Sequence, residues 1–319
     1  MRVTTLAGGI GAARFLRGLR AELAARGEPY EIIVIGNTAD DVELFGLHVS
    51  PDLDTVMYTL GGGIHEEQGW GRAGETYAVK DELAAYGAEP QWFGLGDRDI
   101  ATHVVRTQML AAGYPLSQVT EALCARWQPG VRLLPMTDDR VQTHVVVEDE
   151  QGRRAVHFQE WWVRMHAATP ALAIVPVGVE DARPGPGVLD AIGDADVLLL
   201  PPSNPVVSVG TILAVPGVRD AVATTRAPVV GVSPIIGGAP VRGMADACLT
   251  AIGVETSAAA VATLYTGLLQ GWLVDVADAD TSVDGVVVRS LDLYMRDERS
   301  TRAIAAAALD LAADLRVAA

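Results

Sequence analysis

Lysine is all but missing from this 319-residue chain. Lys80 is the only one, so any concentrated positive charge has to come from arginine. Cysteine is nearly as scarce: Cys124 and Cys248 stand apart, with no disulfide framework and no metal-ligand spacing. No apolar run approaches the roughly 18 residues of a membrane-spanning helix. Met1-Arg2 leads straight into a strand pattern, so no signal peptide is expected and the protein reads as soluble and cytoplasmic. The formal net charge is −16, and an acidic protein repels nucleic acid and anionic membrane surfaces. A small anionic ligand stays compatible with that balance if arginines gather locally. H-x-x-x-H, G-x-S-x-G and paired cysteines are also absent, which argues against zinc peptidases and serine hydrolases.

What is present is an alternation of strands and helices. Half the residues are apolar, enough for one large core or a core with an appended subdomain. Residues 2–7 predict a buried strand, 12–26 a helix closed by Gly27, and 31–36 a second buried strand. That βαβ unit requires a parallel pair. Helices are expected over 74–86, 100–112 and 117–127, the last capped by Ser117. A hairpin is expected at 143–148 and 154–160 around Gly152. Parallel-type strands are expected at 172–177, 196–200 and 228–233, with further strands near 272–276 and 284–292 and a helix from about 298 to 315. No repeat or compositional break marks a linker. The fold class that follows is α/β, a Rossmann-like and mostly parallel sheet flanked by helices. All of 1–319 reads as one domain with a largely helical insertion at about 60–130.

Two acidic runs carry the chemistry: Asn37-Thr38-Ala39-Asp40-Asp41, just past the second strand, and Pro51-Asp52-Leu53-Asp54-Thr55. Carboxylates near a glycine-rich loop suit a hard divalent cation held against a phosphate. Turn and cap roles are the plain alternative for each of them. The loop is Gly8-Gly9-Ile10-Gly11, between the first strand and the first helix, where backbone amides can approach phosphate. Arg14 occupies the third glycine position of a dinucleotide fingerprint, and Glu31 stands at the start of the second strand instead of an acid at its end. Both departures disfavour a nicotinamide cofactor. In Asp97-Arg98-Asp99, Asp99 reads as an N-cap, and the functional alternative has Arg98 contacting phosphate while Asp97 orients it. Pro202-Ser203-Asn204-Pro205 and Ser233-Pro234-Ile235-Ile236-Gly237-Gly238 follow apolar strands and offer small polar donors, or serve as ordinary turns. His157, Glu160, Trp161 and Trp162 read as core or rim of the hairpin.

Taken in order with Leu95-Gly96-Asp97-Arg98-Asp99-Ile100-Ala101-Thr102-His103, Leu134-Pro135-Met136-Thr137-Asp138-Asp139 and His157-Phe158-Gln159-Glu160-Trp161-Trp162, these segments resemble the 2-phospho-L-lactate transferase family of coenzyme F420 biosynthesis. The resemblance runs over essentially the whole chain and is strongest to the actinobacterial branch, described as phosphoenolpyruvate transferase. It implies a magnesium-dependent transfer from a guanosine diphosphate conjugate of enolpyruvate or lactate to a ribityl hydroxyl of the deazaflavin Fo, releasing GMP. On that reading Asp40 and Asp54 reach Mg2+. Asp52 and Asp41 stand behind them or accept the hydroxyl proton. Arg98 and the loop Gly8, Gly9 and Gly11, with Asn37 nearby, balance the diphosphate. Ser203, Asn204, Ser233 and Gly237 are candidates for guanosine recognition, and Trp70 and Trp92 for stacking on the deazaflavin. The resemblance also suggests a homodimer. Regulators that resemble the gluconeogenesis factor, which bind nucleotide sugars without transfer, are the non-enzyme alternative. The acidic runs count against it, because unscreened carboxylates repel a diphosphate.

Overall fold

Segments that are apolar on both faces need cover on both sides of a sheet, and the chain supplies it. In the computed structural model, which describes residues 1–318, the first half runs β1 (Arg2–Ala7), α1 (Gly9–Arg26), β2 (Glu31–Gly36), β3 (Val42–Leu44), β4 (Leu47–Val49), α2 (Pro51–Leu60), α3 (Ala78–Ala85), α4 (Asp97–Ala111), α5 (Leu116–Trp127), β5 (Arg132–Pro135), β6 (Gln142–Asp149), β7 (Gly152–His157), a π-helical turn at Glu160–Arg164 and β8 (Ala171–Val177). The second half runs α6 (Val188–Gly193), β9 (Val197–Leu200), a π-helical turn at Pro205–Val209, α7 (Gly210–Ala214), α8 (Val218–Thr224), β10 (Val229–Val232), β11 (Ile235–Ile236), β12 (Ala239–Pro240), α9 (Ala245–Ala251), α10 (Ala258–Thr263), β13 (Gly271–Val274), β14 (Val287–Ser290) and α11 (Glu298–Ala318).

Seven strands form one parallel sheet in the order β14-β13-β10-β9-β1-β2-β5. One face packs on α1, α2, α5 and α11, the other on α6, α7, α8 and α10. The order sets the site. From β1 the chain builds outward through β2 to β5, then returns to the other side of β1 with β9 and builds outward again. The strand order therefore reverses between β1 and β9, and the loops after those two strands open a crevice, as they do in other doubly wound sheets.

Sequence and structure differ at several places, each for a tertiary reason. Residues 172–177 do not join the parallel sheet: β8 pairs antiparallel with β6 in a separate three-stranded sheet, β7-β6-β8. The hairpin's second strand stops at His157, and the chain after it coils. Ser117 is not the N-cap of α5. Asp138 reaches across from beyond β5 to accept from the Ser117 N–H at 2.6 Å and its hydroxyl at 2.9 Å. Nor does Asp99 cap α4: Glu75 accepts the Arg98 and Asp99 N–H groups, each at 2.8 Å. Asp97 caps the start of α3 through Ala78 and Val79, which delays that helix to residue 78. Between α2 and β5 the chain leaves the sheet through a glycine-rich loop and then α3, α4 and α5. Among the described residues no single helix is long and apolar enough to cross a membrane.

Candidate active site

The crevice at the switch point is a cavity of about 520 Å³. Its floor comes from the shortest-range patterns in the sequence. Gly8 is extended (φ −150°) and hands the chain to α1 at Gly9. Its N–H donates to Ser203 Oγ at 3.2 Å, tying the loop after β1 to the loop after β9. The two loops meet so closely that a Cβ on Gly11 would lie 2.1 Å from the Pro202 carbonyl oxygen, and one on Gly8 would lie 2.5 Å from Asp52 Oδ2. Gly11→Ala is accordingly expected to lower unfolding free energy by about 1–3 kcal/mol through overpacking. Urea denaturation followed by far-UV dichroism checks it, and an unchanged midpoint would contradict that packing.

Pro51 at the first position of α2 starts a helix that carries Asp52 and Asp54 in its opening turn. Asp40, Asp52 and Asp54 all line the cavity and are all buried. Asn37 lies behind them: its Nδ2 donates to Asp52 Oδ2 at 2.9 Å, while its Oδ1 accepts the Ala39 N–H at 3.1 Å. Burial raises Asp40 well above the usual carboxylate range, and the neighbouring Asp52 charge adds to the effect. Asp52 is pushed up to about 6 by burial, against the opposing hydrogen bond from Asn37. Asp41 turns elsewhere, accepting from Ser50 Oγ at 2.7 Å and meeting His48 Nε2 at 2.9 Å.

Asp54 belongs to a second network that no local pattern announces. Arg106, buried on α4, forms an ion pair with Asp54 Oδ1. Its Nη1 lies 3.1 Å from His103 Nδ1. A guanidinium only donates, so Nδ1 accepts and the ring proton sits on Nε2, which faces Asp99 Oδ2 at 3.5 Å. Tyr58 donates to Asp99 Oδ1 at 2.6 Å. Burial alone would raise Asp99, yet His103, Tyr58 and Arg106 together hold it below its ordinary value. Burial pushes Asp54 up, and Arg106 draws it back.

Among the described residues no group of three or more His, Cys, Asp or Glu side chains gathers to cage a metal ion. The donor set nevertheless fits Mg2+. Asp40 Oδ1 and Asp54 Oδ2 are buried carboxylate oxygens with no hydrogen-bond partner. Mg2+ takes one or two protein carboxylates and completes its shell with phosphate and water.

The cavity's positive charge does not come from Arg98. Arg98 is exposed and lies outside the lining; its backbone C=O accepts from Arg72 at 2.9 Å. Arg14, Arg242 and Arg296 line the cavity instead. The departure from the dinucleotide fingerprint at Arg14 was the available signal, since a glycine replaced by arginine beside a phosphate loop adds a cation there. Ser203, Asn204 and Ser233 do line the cavity, but Ser203 Oγ accepts the Gly8 N–H, and Asn204 Oδ1 and Ser233 Oγ are engaged within their own loops. Asn204 Oδ1 accepts from the Val206 and Val207 N–H groups, at 2.9 and 3.2 Å, and Ser233 Oγ donates to the Ile235 C=O at 2.8 Å. Gly237 lies outside the lining, with its N–H given to Asp278 at 2.9 Å. Trp70 lines the cavity; Trp92 does not, and its neighbour Phe93 does. Phe158 and Tyr294 add aromatic surface to the lining, and so does Trp162, read from the sequence as core or rim. His157 is structural, its Nε2 3.1 Å from the Asp41 carbonyl.

A glycine loop at the switch point of a parallel sheet, facing buried carboxylates and arginines, defines a Rossmann-like α/β enzyme whose crevice is suited to a nucleotide-type anion. Comparison with known proteins narrows the class. Residues 3–308 match the family described as 2-phospho-L-lactate transferase CofD, and the chain belongs to that family. A relative from Thermobifida fusca named phosphoenolpyruvate transferase is 70% identical over 321 residues, covering 99% of each chain. One of the same name from Mycolicibacterium smegmatis is 54% identical, covering 98% of this chain and 99% of its own. A UPF0052 family protein from Bacillus halodurans shares the fold, with a TM-score of 0.60 at 18% identity over 97% of this chain and 99% of that one.

Proposed function

We infer that the chain is the phosphoenolpyruvate transferase of coenzyme F420 biosynthesis. The observation that carries this is end-to-end identity with relatives of that name. The reaction moves the phosphoenolpyruvyl group from enolpyruvyl-2-diphospho-5'-guanosine to the deazaflavin Fo. A ribityl hydroxyl attacks the phosphorus that bears enolpyruvate, the bond to the bridging oxygen breaks, GMP leaves with that oxygen, and the hydroxyl proton is given up. The products are dehydro-F420-0 and GMP. Such a transfer depends on in-line positioning and charge neutralisation more than on covalent catalysis.

Asp40 and Asp54 are the residues we assign to Mg2+, which when bound screens the diphosphate and polarises its oxygens. Arg14 and Arg242 supply the fixed positive charge opposite them. Asp52, with its carboxyl raised to about 6, is assigned to take the hydroxyl proton, and Asn37 sets its orientation. The glycine loop offers backbone amides to phosphate, and the insertion at about 60–130 contributes Trp70 and Phe93 to the acceptor side of a single catalytic unit. The family resemblance supports a cytoplasmic homodimer.

The test is a mass-spectrometric assay of purified protein with Fo, Mg2+ and the enolpyruvyl or the lactyl guanosine diphosphate conjugate in separate tubes. GMP release with a phosphoenolpyruvyl mass increase on Fo is expected. Phospholactyl product alone would reassign the donor, and binding without product would turn the reading to a nucleotide-binding regulator.

A further inference from the structure

One segment around the cavity is gripped at its tip by three arginines, two of which line the cavity. The loop from Ile64 to Arg72 leaves α2 through Gly61-Gly62-Gly63 and is closed at its neck by an Ile64–Arg72 bridge and a His65 N–H to Gly71 C=O bond of 3.1 Å. Its tip lies on the phosphate loop. A Cβ on Gly69 would be 2.8 Å from Ile10 Cγ2 and 3.3 Å from Arg242 Nη1. Three guanidinium groups grip this tip. Arg14 Nη2 donates to the Glu66 carbonyl at 3.4 Å, Arg242 Nη2 donates to the Glu67 and Gln68 carbonyls, and Arg17 makes a forked pair with the Glu66 carboxylate at 2.9 and 3.1 Å. Trp70, 45% exposed, extends from the same tip along the cavity wall.

The grip is incomplete in an informative way. A guanidinium carries five donors in a rigid fork, and Arg14 and Arg242 each place a single nitrogen on the loop. Both also line the cavity as like charges near one another, with the Glu66 carboxylate only partly offsetting them. An anion seated there would use the remaining donors and relieve the repulsion, while the contacts to the loop carbonyls stay in place.

We propose that residues 64–72 form a lid that shuts on the substrate's diphosphate, with Arg14 and Arg242 each bridging a loop carbonyl and a phosphate oxygen and the Arg17–Glu66 pair acting as its latch. The proposal rests on the transferase reading for the identity of the ligand as a nucleoside diphosphate. Closure of this kind sequesters a phosphoryl transfer from water.

The test is amide hydrogen exchange on the full-length protein, free and with GDP and Mg2+, with binding measured in parallel by calorimetry. Amides of Glu66 to Trp70 are expected to exchange at least about tenfold more slowly once GDP is bound. Glu66→Gln is expected to lose most of that protection while still binding GDP. Gly69→Ala, whose Cβ meets Ile10, is expected to raise the donor KM several-fold. Gly62→Ala has a similar positive φ (+74°) and an open surround, and reports backbone strain alone. Bound GDP with unchanged exchange at 66–70 would overturn the lid, and normal turnover of Fo in that protein would leave the transferase reading standing. Absence of GDP binding would overturn the lid by removing its ligand. Equal effects of Gly69→Ala and Gly62→Ala would overturn it as well.

Discussion

Replacing Asp40 by asparagine is expected to make the metal-free protein harder to unfold and the enzyme all but inactive. The two effects have one cause. Asp40 is buried beside Asp52, and burial and that neighbouring charge both hold its carboxyl well above its ordinary value. A carboxyl whose pKa is raised in the folded state costs stability above that pKa and ceases to cost it as pH falls through it. At neutral pH the native residue therefore works against the fold, and the neutral amide does not. A cation offsets the same cost in the native protein. At a Mg2+ concentration near 100 times Kd, binding stabilises the native protein by about 2.7 kcal/mol, and Asp40→Asn should lose most of that increment. Several kcal/mol of transition-state charge stabilisation go with it, so turnover should fall roughly a hundred- to thousand-fold. Thermal melts with and without Mg2+, read beside the GMP-release assay, check both parts. A variant whose melting temperature still rises with Mg2+ as in the native protein would take Asp40 out of the metal site.

Arg106→Met is expected to be the most destabilising single change at the site, by about 3–5 kcal/mol, because it leaves the buried Asp54 charge without its partner. Asp54→Asn strands the same pair from the other side, so loss of activity in that variant mixes catalysis with folding. Removing both charges separates them. Replacing a buried ion pair with uncharged groups of similar volume is often close to neutral for stability. The Asp54→Asn/Arg106→Met double variant should therefore recover most of the urea midpoint and remain inactive, since Asp54 Oδ2 is gone from the cavity. Recovery of stability together with activity would show that Asp54 only balances Arg106.

These two experiments separate residues that look equivalent in the primary structure. Asp40, Asp52 and Asp54 share a motif type and a place near strand ends. Only the fold assigns Asp52 to Asn37 and Asp54 to Arg106. Arg98 and Arg106 lie on the same helix, α4. The first is exposed, beside a helix start already capped by Glu75; the second is buried against α2. Composition treats them alike. Likewise, Asn204 and Ser233 have the right chemistry for a ligand and the right position after a strand, but their loops need those same atoms for their own backbone N–H and C=O groups.

The sequence by itself determined the βαβ start, the glycine loop at its first turn, the acidic runs near the second strand and the parallel sheet class. Each of these is written in a repeat or a turn chemistry spanning a few residues, and local sterics enforce it. The tertiary structure alone decided that β8 leaves the parallel sheet, that Arg14 and Arg242 and not Arg98 face the cavity, and that one acidic residue of α2 is neutralised by an arginine two helices later. Those outcomes depend on which distant side chains close packing brings within a few ångströms. In a buried site that contact determines which charges are paired and which remain for a ligand.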